Sequence, residues 1–162
     1  MNNKKIGFGG GCHWCTEAYF QSLHGVVLVE QGWISSISPE DTFSEAVIVH
    51  YNPKIIDLKR LIEIHLHTHA STKLHSFRKK YRSAVYVFDD CVEDIQKLIN
   101  NNQTNFKEPL ITKALAFSQF KLNIEDKQNY YIKHKDGAFC QKYIVPKLDM
   151  LQKDYLSDFK EI

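Results

Sequence analysis

Three consecutive glycines, Gly9-Gly10-Gly11, stand directly before Cys12 and separate two runs of opposite character. Lys4-Lys5-Ile6-Gly7-Phe8 reads as a short strand, and Thr16 to Leu23 reads as a helix with Gly25 as a stop signal two residues beyond it. Backbone without Cβ atoms can turn sharply, so Cys12 falls at or near the N-terminus of the helix. The unpaired N–H groups and the dipole at that end favour an anion, which lowers a thiol's pKa and enriches the nucleophilic thiolate. A free cysteine can equally be a small buried hydrophobe, and a glycine run can be a plain loop. Cys15 sharpens the choice, because Cys-x-x-Cys in a reducing setting signals either redox chemistry or half of a zinc site.

The chain has 162 residues, which suits one domain over residues 1–162 with a core that needs no staples. Lys and Arg total 21 against 19 Asp and Glu, so charge makes no case for nucleic acid or a membrane surface as partner. Met1-Asn2-Asn3-Lys4-Lys5 leads straight into a strand, which reads as no signal peptide, and no window reaches the apolar length of a membrane span. The four cysteines are too few and too unevenly spaced for a secreted disulfide scaffold. The expectation is a cytoplasmic protein whose thiols react, pack or bind metal. No cofactor-binding motif is visible.

Along the chain, strands are expected at 25–33, 44–51, 82–88 and 113–117. Ser35, Ser36, Ser38, Pro39 and Asp41 mark the 34–43 connection as loop. Residues 57–67 carry helical spacing with Asp57 as N-cap. Further helices are expected from Asp89-Asp90 to about Asn100, from Glu125 to Lys133, and from Val145 to Leu156 with Pro146 in the first turn. Strands and helices alternate, yet several strands lie near hairpin distance. This predicts an α+β, two-layer sandwich of helices on a mixed sheet.

Gly10-Gly11-Cys12-His13-Trp14-Cys15-Thr16-Glu17-Ala18-Tyr19-Phe20 resembles the G-G-C-F-W-C-x-E-x-x-F signature of the A-type peptide methionine sulfoxide reductases. Gly32-Trp33 stands where that family has Gly-Tyr. Ser44-Glu45-Ala46-Val47 and Tyr51-Asn52-Pro53 follow its H-A-E-A/V-V and Y-D-P, and Tyr81-Arg82-Ser83-Ala84-Val85-Tyr86 follows its Q-Y-R-S-A-I/V-Y. Gln128-Asn129-Tyr130-Tyr131 loosely follows H-Q-x-Y-Y. Phe139-Cys140 and Ile144-Val145-Pro146-Lys147-Leu148 match Y-C and I-x-P-K-L. The matches keep the family's order across nearly the whole chain.

The resemblance implies a ferredoxin-like α+β fold and reduction of the S epimer of methionine sulfoxide, free or in peptides and proteins. It needs no cofactor or metal, acts as a monomer and is recycled by thioredoxin. Cys12 takes the nucleophile's position, attacking the sulfoxide sulfur and ending as a sulfenic acid. Trp14 takes the place of the aromatic that cradles the substrate methyl group; alone it would read as core packing. Glu45 takes the place of the acid that protonates the departing oxygen, a role that calls for a buried, neutral carboxylic acid; alone it would read as a solvated charge at a strand start. Tyr81 takes the place of a phenol that binds that oxygen. Cys140 matches the resolving cysteine, in a Lys135-Asp136-Gly137 loop expected to be flexible enough to approach Cys12, and Cys15 is its competitor or relay. Cys91 is expected to be a buried structural thiol.

The departures cluster at the inferred pocket. His13 replaces the usual Phe and adds a titratable ring, and Trp33 replaces Tyr and removes a hydroxyl. Leu74 to Lys80 replaces G-N-D-x-G-x-Q, with Ser76 in place of its Asp, and His69-Ala70-Ser71-Thr72 replaces H-D-P-T. Arg78-Lys79-Lys80, with Lys73, His75 and Arg82, reads as a solvated basic loop that could favour acidic peptides. The rivals are a catalytically impaired binding protein and a metal module joining Cys12 and Cys15 to two histidines. The alternating His65, His67 and His69 cannot share one helical face. A thioredoxin-like oxidoreductase fails on the order of its elements.

Overall fold

A computed structural model describes residues 2–160. Six strands form one sheet in the order β5-β4-β1-β3-β2-β6. They are β1 (Lys4–Gly9), β2 (Val26–Ser35), β3 (Ser44–Tyr51), β4 (Ala84–Val87), β5 (Lys113–Ala116) and β6 (Gln119–Leu122). Every pairing is antiparallel except β4 with β5, so the sheet is mixed as expected. Five α-helices accompany it: α1 (His13–Gln21), α2 (Leu58–His67), α3 (Val92–Asn100), the single turn α4 (Tyr130–Lys133), and α5 (Val145–Asp154).

The alternation of β3 sets the two layers. Val47, Val49 and Tyr51 point to one face, where Phe8, Val85 and Val87 join them against Phe20 of α1, Leu61 and Ile62 of α2, Ile99 of α3 and Leu151 of α5. Ala46 and Ile48 point to the other face, into a smaller cluster with Ile34, Ala84 and Tyr86 edged by Phe88, Phe117 and Phe120. Gly7 makes this second cluster possible, since a Cβ there would lie 2.8 Å from Tyr86 Cβ and 2.9 Å from Ile34 Cδ1. Because β3 is buried on both faces, its odd-numbered residues, Glu45 included, are carried under the helical layer.

Local chemistry explains the helix starts. Asp57 caps α2 by accepting the Arg60 N–H at 2.8 Å, as expected. Helix α3 begins two residues later than predicted, at Val92, because Asp89 accepts the Cys91 N–H at 2.9 Å and holds a turn ahead of it. The helix expected over 125–133 is two separate turns, broken where Asn129 takes a left-handed conformation (φ 57°). Strand β6 has no counterpart in the sequence reading. It is short and largely exposed, and it exists because it pairs with β2 over Gly32–Ser35.

Candidate active site

Helix α1 opens on Cys12 itself, which occupies the N-cap position with extended backbone (φ −56°, ψ 128°) and gives its carbonyl to Thr16 N–H and Thr16 Oγ at 3.1 Å each. The sulfur is therefore aimed at the free N–H groups of the first turn. Donation from the Cys15 thiol lowers the Cys12 thiol first. The backbone N–H groups of Cys15 and Trp14 add to this, against opposing burial and the negative charge of Glu45. Cys15 is held up strongly in turn, by Cys12 and then by burial, while the Tyr19 hydroxyl one turn further on supports it as a donor. The two thiols divide the roles between them, Cys12 giving up its proton more readily than an ordinary thiol and Cys15 less readily.

The glycine loop ahead of Cys12 rests on two histidines, His65 fully buried and His69 half-buried. A Cβ on Gly10 would run into the His69 ring, so the backbone can lie there only as glycine. His69 Nδ1 donates to His65 O (3.1 Å), which leaves Nε2 to accept from Ser83 Oγ (2.7 Å), itself 2.6 Å from Thr112 Oγ1. His65 Nε2 donates to Gly9 O at 2.9 Å. Burial lowers the His65 imidazole to about 4 and takes His69 well below its ordinary value, so both are neutral supports.

Glu45 lies opposite, at the start of β3 and level with Trp33 of β2 in the sheet register. It is 7 % exposed, and Oε1 accepts the backbone N–H of His13 at 3.2 Å. The His13 ring is 4 % exposed. Its Nδ1 donates to Gly32 O at 2.6 Å, its Nε2 stands 3.4 Å from Glu45 Oε1, and its face meets the edge of Trp33 with centroids 5.1 Å apart. Lys80 Nζ reaches Glu45 Oε2 at 3.6 Å and lies 5.1 Å from the Tyr81 ring centroid, tying the half-buried Tyr81 to the same end of β3. That segment is laced down by Glu45 N–H and Ser44 Oγ donating to Lys80 O (2.9 Å each), and by Arg82 N–H donating to Ser44 Oγ (2.8 Å). Cys12, His13, Glu45, Trp33 and Tyr81 thus belong to one constellation.

Trp14 faces the 130–139 segment. Its indole stacks on Tyr130 and meets Phe139 edge-on at 5.3 Å. Cys140 follows Phe139 and opens a wide helical turn, Cys140–Ile144, that runs into α5. It is fully buried against α1, and burial raises its thiol. The flexible loop expected around Cys140 therefore ends one step earlier: Lys135 to Gly137 are exposed, but the cysteine is packed in the core because Ile144 and Leu148 anchor the turn behind it.

Cys91 corrects another expectation. It is exposed rather than buried, at the N-cap of α3, and the Asp89 carboxylate beside it pushes its thiol up. In the basic stretch Lys73, His75, Lys79 and Lys80 are exposed, as a solvated loop requires, but its two arginines are tied down. Arg78 donates to the carbonyls of Lys73 (2.8 Å), Gly10 (2.8 Å), Tyr81 (2.9 Å) and Ala70, stitching the segment to the nucleophile loop. Arg82 is buried on Glu40, Thr42 and Tyr86. Ser76 is exposed. Among the described residues, no three His, Cys, Asp or Glu side chains converge as metal ligands would, and no helix is long and apolar enough to cross a membrane.

Two residues of the signature carry no role until the structure is seen. Glu17, fully buried, accepts the N–H groups of Asn129 and Tyr130 (3.0 Å each) and Gln31 Nε2 (3.1 Å). It fastens the Tyr130 segment to α1, and burial raises its carboxyl. Tyr19 stands behind Cys15. Their spacing is the available signal, since Tyr19 follows Cys15 by four residues and shares its helical face.

The family model described as peptide methionine sulfoxide reductase matches residues 4–159. The chain is 30 % identical to the peptide methionine sulfoxide reductase MsrA of Erwinia tasmaniensis, over 90 % of this chain and 91 % of that one. It is also 30 % identical to the MsrA of Campylobacter jejuni, over 93 % and 99 %. Among solved structures it resembles Saccharomyces cerevisiae Mxr1 in its unusual oxidised form (TM-score 0.68, 27 % identity, 85 % of each chain). It is also similar to Mxr1 in complex with Trx2 (TM-score 0.62, 22 % identity, 79 % of this chain and 84 % of that one), a likeness of fold. With a matching fold, the glycine-loop cysteine and a family match over nearly its whole length, the chain belongs to the A-type peptide methionine sulfoxide reductases.

Proposed function

We propose that this protein reduces the S epimer of methionine sulfoxide, free or within peptides, to methionine, with Cys12 as nucleophile and Glu45 as acid. The observation that carries the reading is the placement of a lowered thiol at the α1 N-cap, with a buried carboxyl hydrogen-bonded to the first turn of the same helix. The Cys12 thiolate attacks the sulfoxide sulfur while the oxygen takes a proton from Glu45, with Tyr81 beside it. The S–O bond then breaks, and the transient bond between Cys12 Sγ and the substrate sulfur breaks with its electron pair left on that sulfur. The oxygen ends on Cys12 as a sulfenic acid while methionine leaves. The substrate sulfur gains two electrons and Cys12 loses two.

Trp14 and the Trp33–His13 pair flank the nucleophile and supply the aromatic walls for the methyl group. Cys15 captures the sulfenic acid, because its thiol already donates toward Cys12. A disulfide forms and water leaves with the hydroxyl and the Cys15 proton. Cys140, buried against the same helix, exchanges into that disulfide next, and a thioredoxin dithiol reduces the result. The Mxr1–Trx2 complex of a structural relative supports thioredoxin as the reductant.

The test is turnover of both epimers of a methionine sulfoxide peptide with dithiothreitol. The S epimer alone should be consumed, and Cys12→Ser should abolish the reaction. No turnover of either epimer by the parent, or full activity in Cys12→Ser, overturns the reading.

A further inference from the structure

We propose that His13 and Glu45 hold one proton between them, and that this shared proton is the one Glu45 hands to the sulfoxide oxygen. The inference rests on the reductase reading and adds His13 to it as a positioning residue that acts through Glu45.

The geometry counts the protons. A carbonyl oxygen can only accept, so the 2.6 Å contact with Gly32 O requires a hydrogen on His13 Nδ1. That leaves Nε2 facing Glu45 Oε1 at 3.4 Å, with the imidazole and the carboxyl both almost fully buried. If Nε2 were bare and Glu45 ionised, two lone pairs would lie 3.4 Å apart on side chains that are each a tenth exposed or less. One proton resolves this in either of two forms: imidazolium with carboxylate, or imidazole with carboxylic acid. Both leave the pair with zero net charge, so moving the proton between them costs no change of charge in a buried place.

The surroundings act on the pair from several sides. Burial disfavours the imidazolium most, the Gly32 carbonyl and Glu45 favour it, and the positive charge of Lys80 opposes it. Lys80 also lies 3.6 Å from Glu45 Oε2. The other groups facing the pair are the Trp33 ring from β2, with Lys121 of β6 at 5.8 Å from its centroid, and the Cys12 sulfur from the head of α1. The backbone N–H of His13 donates to the same Oε1 that faces its ring, so one residue fixes both the acid's position and its proton. Two groups that share a proton titrate as a pair rather than independently. Removing the His13 ring would therefore remove the group with which Glu45 shares its proton.

Two measurements test this. In protein carrying 15N-labelled histidine, Nδ1 of His13 should remain protonated throughout the pH titration, and Glu45→Gln should move the His13 titration to lower pH. The single-turnover rate of sulfenic acid formation should fall at high pH in the parent. In His13→Gln, which keeps a polar contact but cannot store a proton, that fall should begin at least one pH unit lower. A bare Nδ1, or a His13 titration indifferent to Glu45→Gln, overturns the pairing. So does a His13→Gln variant slowed equally at every pH, since a merely structural ring would behave that way. The imidazole titration needs no substrate. An inactive parent with a shared proton thus removes the reductase reading and the proton's destination with it, whereas an active parent with independent titrations removes the pairing alone.

Discussion

Trp14 lies flat on Tyr130, with ring centroids 4.1 Å apart and planes 9° from parallel. The contact joins the first turn of α1 to a segment 116 positions away in sequence, and Glu17 holds the two together by accepting the N–H of Tyr130. One face of the indole is therefore covered by the protein's own aromatic, with Phe139 closing the edge. The ring is oriented by packing that no single motif contains.

Tyr130→Ala should free that ring. The stacked pair contributes about 0.5–1.5 kcal/mol beyond its buried area, so unfolding should need correspondingly less denaturant. In a Trp33→Phe background, where Trp14 is the remaining tryptophan, its emission should shift to longer wavelength as water reaches the exposed face. KM for a sulfoxide peptide should rise several-fold with a smaller change in kcat. Unchanged emission would mean that Tyr130 does not cover Trp14 in solution.

The Cys12 thiol is lowered chiefly by Cys15. Cys15→Ala removes that donor while leaving the backbone N–H groups in place, so the midpoint for alkylation of Cys12 by iodoacetamide should move to higher pH. The same variant with a serine should move less, because a hydroxyl can still donate. Equal midpoints in parent and Cys15→Ala would assign the activation to the helix end alone.

The nucleophile's position was legible because a glycine loop before a helix has a direct physical meaning. The two-layer fold was legible from the alternation of strands with helices, among them the helical spacing over 57–67 that became α2. Other parts depend on contacts that sequence order does not carry. Strand β6 has little apolar pattern of its own and forms only as an edge to β2. Cys91 looked like a core thiol by residue type, but two aspartates ahead of it turn the chain outward. Arg78 read as one charge among several in a basic loop, yet its planar group finds four carbonyls. Glu17 appeared as a signature letter, and its purpose shows only once Asn129 and Tyr130 are folded against it.

Buried His65 sets an acid limit. Its imidazole is lowered to about 4, against an ordinary value near 6.5, because it is fully buried. The folded state thus binds fewer protons than the unfolded chain across that interval. Stability present above pH 6.5 should be lost progressively as pH falls toward 4, by about 3 kcal/mol from this group. His65→Phe gives up the bond to Gly9 O but suits a site between Phe8 and Phe20. Denaturant titrations at pH 7 and pH 4.5 should show a smaller difference in the variant than in the parent. Equal pH dependence would place a titrating His65 in contact with water.

The order of thiol exchange follows from where the sulfurs lie. Cys15 already interacts with Cys12, whereas Cys140 is buried at the head of the 140–144 turn. Cys140 is near enough to bear on the Cys15 thiol electrostatically. Cys140→Ser should therefore complete one turnover per enzyme and stop as a Cys12–Cys15 disulfide, with thioredoxin-driven cycling lost and dithiothreitol-driven cycling kept. Cys15→Ser should leave the sulfenic acid on Cys12 long-lived enough to trap with dimedone, because Cys140 must leave its packed turn to reach it. Peptide mapping by mass spectrometry after one equivalent of sulfoxide distinguishes these products. A Cys12–Cys140 disulfide forming at full rate in Cys15→Ser would show that the turn opens freely and that Cys15 serves only to activate the nucleophile.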